Sequence, residues 1–189
     1  MKNLISILFL FVSFNSYSQF DKVKMYFNDS TSIEGFGYYK KDKIFFKLDE
    51  KDEFSEWGLE SVYKIDFYGF ENALYTFEYI FCDKYNKFRL MQLVVEGEVN
   101  LYKIEDTNIV ITSNGGDIKS RSFYTSKTEE YFVKHIKDKT AIDILFGFKK
   151  RIARFFFDCP DIIEMVNDKT FTRDDIELIV VYYNKNCST

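Results

Sequence analysis

The clearest cluster of like chemistry in the chain is cationic: Lys149, Lys150, Arg151 and Arg154. Such a group suits anionic lipid, a polysaccharide or the acidic face of a partner, and otherwise forms the wet side of a helix. Trp57 is the single tryptophan. Beside Gly58, in an expected loop between strands, it could anchor a partner or stack a sugar, or half-fill a core. Trp57, Lys149, Lys150, Arg151 and Arg154 are therefore the candidate interaction residues. Three cysteines, Cys82, Cys159 and Cys187, and one histidine, His135, complete the reactive inventory. Scattered thiols with a lone His have no metal-ligand spacing. Nothing local marks Cys82 or Cys159 as a nucleophile for His135.

Acidic residues Asp49, Glu50, Asp52, Glu53 and Glu56 could offer oxygens to calcium. Lys51 sits among them, and the glycine and regular spacing of a calcium loop are absent, so a solvated hairpin loop is expected. The turn Asn114-Gly115-Gly116-Asp117 is read as a hairpin turn, not a phosphate nest. No Gly-x-Ser-x-Gly, His-Glu-x-x-His or Walker-type loop occurs. No catalytic residue, metal or cofactor is assigned.

The first residues supply an address. Met1 and Lys2 give a positive start, residues 4–14 an apolar run, and Ser16 and Ser18 the small side chains of a cleavage site. Cleavage between Ser18 and Gln19 is expected, with export to the periplasm or beyond. The apolar run is shorter than the roughly 20 residues a spanning helix needs. No later stretch is long and apolar enough to span, so the processed chain is expected to have no transmembrane segment.

Export permits disulfides. Cys159 and Cys187, 28 residues apart, flank two expected helices and are the favoured pair. Closing that loop stabilises by about 3–4 kcal/mol on the chain-entropy picture. Pairing of Cys82 with either remains the alternative, since spacing does not fix connectivity.

These residues must be positioned by two kinds of element. Over 20–136 the pattern is that of strands: 23–27, 33–39, 44–48, 59–67, 73–81, 88–96, 99–104, 108–112 and 118–124. They recur at roughly ten-residue spacing with legible turns between, which predicts a meandering antiparallel sheet curled into a barrel-like body or a sandwich. Gly35 and Gly37 inside one strand predict a bulge or close backbone approach. After 136 the period becomes helical. Phe148, Ile152, Phe155 and Phe156 make one stripe, Ile162, Ile163 and Val166 a second, and Ile176, Ile179, Val180 and Tyr183 a third. Pro160 suits a first helical position, and Thr172 followed by Asp174 and Asp175 suits an N-terminal cap.

The expected layout is α+β: a leader over 1–18, an antiparallel β-rich domain over 19–136, and a docked cap of about three helices over 137–189. The whole chain has 189 residues, 26 basic and 30 acidic, for a net charge of −4. That sign argues against a nucleic-acid binder held by a global basic field. Aromatics form 20% of the chain, 22 of them Phe and 14 Tyr, and there is one Pro. A biased codon pool explains that mix, and the large rings fill a compact core easily.

Several stretches carry a resemblance. They are the leader ending Ser16-Tyr17-Ser18-Gln19-Phe20, an Asn-Asp-Ser turn before Glu34-Gly35, and the hairpin Glu96-Gly97-Glu98-Val99-Asn100-Leu101-Tyr102. The tail adds Phe156-Phe157-Asp158-Cys159-Pro160, Ile179-Val180-Val181-Tyr182-Tyr183-Asn184 and Cys187. Together they resemble a group of small exported proteins of Bacteroidota-type bacteria with no assigned activity. The resemblance implies export and a paired-cysteine helical tail, and it brings no catalytic residues. The expected function is an exported, non-enzymatic binding or structural protein that contacts envelope protein or glycan. One alternative is a hydrolase with dispersed acids acting on glycan or peptide. Another is a carrier of a small apolar ligand in a barrel mouth.

Overall fold

A computed structural model describes residues 21–69, 73–113 and 121–188. The expected leader and the turn at 114–117 lie outside the described residues. The fold is α+β, a ten-stranded sheet followed by three helices.

The N-terminal half is a meander: β1 (Asp21–Phe27), β2 (Ser32–Lys40), β3 (Lys43–Lys47), β4 (Ser55–Trp57) and β5 (Val62–Tyr68). Alternation places Val23 and Met25 of β1 inward and Lys22 and Lys24 outward, away from the core. Gly35 is the expected close approach: a Cβ there would stand 2.4 Å from the Lys47 carbonyl oxygen and 2.6 Å from the Phe46 ring. The core of this half gathers Met25, Ile44, Val62, Ile65, Phe77 and Leu90. Its curl is closed by side chains rather than by a ladder. At the β2–β3 tip, Asp42 accepts from Arg89 Nε at 2.7 Å, Lys87 Nζ at 3.1 Å and the Leu90 amide at 3.3 Å. Tyr79 donates its hydroxyl to the Asp42 carbonyl at 2.8 Å.

The second half comprises β6 (Leu74–Cys82), β7 (Lys87–Val95), β8 (Val99–Ser113), β9 (Arg121–His135) and β10 (Thr140–Asp143). Here the sheet closes on itself. Strand β10 pairs antiparallel with β9 and parallel with β6, through Thr140↔Phe81 and Ala141↔Cys82. The ring is filled by Cys82, Met91, Tyr102, Ile104, Phe132 and Ala141. Its opposite face, Val99, Leu101 and Val133, packs on the helices. One pleat thus serves two cores: Leu101 faces the helices and Tyr102 the ring.

The sequence reading divides β8 at 105–107, whereas one strand runs through it. Polar Glu105, Asp106 and Thr107 look like a turn, but their ladder partners Glu129, Thr128 and Lys127 continue the pairing. Strand β10 lies past the expected boundary at 136, so the segment after it supplies the closing strand before the helices begin. Its four residues are too few to show a period.

The helices are α1 (Phe148–Phe155), α2 (Pro160–Asn167) and α3 (Ile176–Asn186). Pro160 occupies the first turn of α2. Thr172 and Asp175 form a reciprocal capping box over a short 3₁₀ turn before α3. The Cys159–Cys187 disulfide ties the start of α2 to the end of α3, and Cys82 is a free thiol at 0% exposure. Burial pushes that thiol above its ordinary range. Asn184 of α3 bonds to β8 as a strand would: its Oδ1 accepts from the Val99 amide at 2.9 Å and its Nδ2 donates to the Val99 carbonyl at 2.8 Å. Gly97 makes room, since a Cβ there would lie 2.3 Å from that Nδ2. No helix among the described residues is long and apolar enough to cross a membrane.

Candidate functional site: a cationic cleft beneath helix α1

The turn between β10 and α1 is built by Asp143. Its Oδ1 accepts from the amides of Leu145 at 2.9 Å and Phe146 at 3.2 Å, which bends the chain outward. Gly147 then takes a left-handed conformation at φ 68° and starts α1. Phe146 is left 76% exposed at the apex, and Phe157, past the other end of α1, is 73% exposed. Between them, α1 buries Ile152 and Phe155 and turns its cations away from the core.

Beneath this face lies a cleft of about 590 Å³. Lys150, Arg151 and Arg154 line it, Phe146 and Phe157 stand at it, and Ile142 and Phe155 supply apolar surface. His135 lies flat on Phe155, ring centroids 4.6 Å apart and planes 19° from parallel. Asp83 and Asp138 add carboxylates. Arg151 donates to the Asp143 carbonyl, which anchors its guanidinium at the turn. No carboxylate among the described residues lies in ion-pair range of Lys149, Lys150, Arg151 or Arg154.

Across Phe146 a second cleft of about 440 Å³ shares Phe146, Gly147 and Arg151 with the first. Its acids are already engaged. Lys84 Nζ lies 2.8 Å from Glu130 Oε1 and 3.5 Å from Asp143 Oδ2, and Tyr85 donates to Glu130 Oε2 at 2.5 Å. Burial alone would lower the Lys84 ammonium, but Glu130 and Asp143 outweigh it and hold the group above its ordinary value. Burial, then the Glu130 carboxylate, likewise raises the Tyr85 phenol.

The five residues marked in the sequence do not form one patch. Lys150, Arg151 and Arg154 share the cleft, while Lys149 is exposed on α1 beside it. Trp57 is elsewhere: it lies on β4, at the opposite end of the strand order from β10, rather than in a loop. There it meets Phe27 edge-on at 5.4 Å and donates to Ser55 Oγ at 2.8 Å, half-buried against the N-terminal core. The acidic stretch closes its own turn, with Asp52 Oδ2 accepting from the Asp49 amide at 3.0 Å, and Glu56 pairs with Lys43 at 3.3 Å. Cys159 is bonded and Cys82 sealed, which leaves no accessible thiol for His135.

Phe146 and Phe157 escaped the sequence reading, although a signal was present. The spacing of 146, 150, 154 and 157 is helical in the sequence, but α1 covers only Phe148–Phe155. Phe146 precedes the left-handed Gly147 and Phe157 follows the helix end, so it is the turns at the two ends that bring the rings to the cleft. Comparison of the chain with protein-family models, curated proteins and solved structures finds no match.

Proposed function

We propose that this chain is an exported, non-enzymatic binding protein of the cell envelope or extracellular space, and that the α1 cleft is its contact surface. The observation that carries the reading is the cationic wall: Lys150 and Arg154 face a cleft of ligand size without a carboxylate partner. Unpaired cations beside exposed aromatics are the side chains an anionic partner uses. The disulfide supports an oxidising compartment. The leader pattern and the likeness to small exported Bacteroidota-type proteins agree with it.

Binding is favoured over hydrolysis because Glu130 and Asp143 are engaged by Lys84, Tyr85 and backbone amides, and so hold the fold. Of the two carboxylates in the contact cleft, Asp83 and Asp138, Asp83 already accepts from the Asp143 amide at 3.4 Å. A carrier of apolar ligands needs a hollow ring, and this ring is packed with side chains.

Co-sedimentation with purified insoluble envelope material tests the reading. The wild-type chain should pellet, and the Lys150→Glu/Arg154→Glu variant should stay in the supernatant, with no soluble sugar or peptide fragments released by either. Equal partitioning of the two proteins would refute the assigned surface. Release of fragments would favour the hydrolase.

A further inference from the structure

We infer that the groove beneath α1 takes a strand of acidic sugars, an oligosaccharide carrying carboxylates on its rings. This rests on the cleft being the binding surface and goes on to name what it binds.

Three chemistries meet in the groove, and the ligand must satisfy all of them. Lys150 and Arg154 offer unpaired positive charge. Asp83 and Asp138 line the same cleft, so the ligand must also bring hydrogen-bond donors to carboxylates. Phe146 and Phe157, 76% and 73% exposed, offer flat apolar faces. A ring-borne carboxylate answers the cations, sugar hydroxyls donate to the aspartates, and the C–H face of a pyranose covers an aromatic ring. An anionic bilayer would meet the cations and the rings, but it has no donors for the aspartates and no use for a concave surface. An acidic peptide answers the cations and leaves the rings without a repeating flat partner.

The dimensions point to a polymer. Between Phe146 and Phe157 runs α1, eight residues or on the order of 12 Å at the helical rise, longer than one sugar ring. Past Phe146 the surface continues into the second cleft, where Arg173 adds a cation while Lys84 is spent on Glu130 and Asp143. Phe146 is thus a ridge with a groove on either side, a shape over which a chain can run.

Titration calorimetry on the purified chain tests this with four probes: hexagalacturonate, a neutral hexasaccharide (maltohexaose), hexaglutamate, and phosphatidylglycerol vesicles. Hexagalacturonate should bind at least about tenfold more tightly than the neutral sugar, and Phe146→Ala and Phe157→Ala should each weaken it about tenfold. Both rings are exposed, so their removal leaves the fold intact, which circular dichroism checks. Hexagalacturonate binding no tighter than maltohexaose, or indifferent to both alanines, overturns the assignment. If hexaglutamate or the vesicles bind instead, and Lys150→Glu/Arg154→Glu abolishes it, the acidic-sugar assignment falls while the contact surface stands. If no anionic probe binds, both fall.

Discussion

Asp42 collects three donors of β7 from the tip of the β2–β3 hairpin, Arg89, Lys87 and the Leu90 amide. Burial would raise this carboxyl, but Arg89 and Lys87 outweigh burial and hold it below the ordinary carboxylate range. A depressed carboxyl contributes stability above its unfolded pKa, near 3.9, and loses it as pH falls through the folded value. Asp42→Asn should therefore cost about 2 kcal/mol at pH 7, because charge-assisted bonds to a largely buried guanidinium are lost. Chemical denaturation from pH 7 to pH 2 checks this: the gap between variant and wild type should narrow below about pH 4 as the wild-type carboxyl protonates. A gap independent of pH would contradict the role given to Asp42. In the sequence Asp42 is one more polar residue in Lys40-Lys41-Asp42-Lys43, and its partners lie 45 to 48 residues away, beyond any local pattern.

Elements of strong period were legible from sequence, and short or shared ones were not. The three helical stripes are explained by residues that are in fact buried, Ile152, Ile162, Val166, Ile176, Ile179, Val180 and Tyr183. The Cys159–Cys187 pair follows from two thiols at the ends of one helical unit. Strand β10 escaped because its identity is set by β6 and β9, a tertiary fact. Trp57 reads as a loop residue because a three-residue edge strand shows no alternation. The cleft escaped for a related reason, since it depends on how the turn at Asp143 and Gly147 launches α1. Gly147 has φ 68° and open space around its missing Cβ, so Gly147→Ala meets backbone strain alone and should cost about 1 kcal/mol. The same change should shift Phe146 and weaken binding of anionic ligand, while Gly58→Ala, far from the cleft, should leave binding unchanged. Thermal unfolding and the calorimetric titration read the two effects. An unchanged melting temperature would contradict the turn geometry.

On the scale of the whole molecule, the fold is a closed ring of five strands carrying a curled meander at one side and a disulfide-tied helical cap at the other. Polar side chains join these parts: Asp42 ties the meander to β7, Tyr102 bonds Asn100 and Glu78 within the ring, and Asn184 ties the cap to β8. Among the described residues the cations of α1 take part in no ion pair of that scaffold, which is the ground for proposing the cleft as the contact surface. The ring also gives it a rigid support, since His135 ends β9 and Ile142 belongs to β10. The most direct test is hydrogen exchange of the chain with and without saturating hexagalacturonate. Binding at this cleft predicts slowed exchange at residues 135–157 and at the segments that line the two clefts with them, around 83–84, 128–130 and 173, with β1 to β4 unaffected. Protection around Trp57 and the β3–β4 edge, or no protection anywhere, would contradict the account.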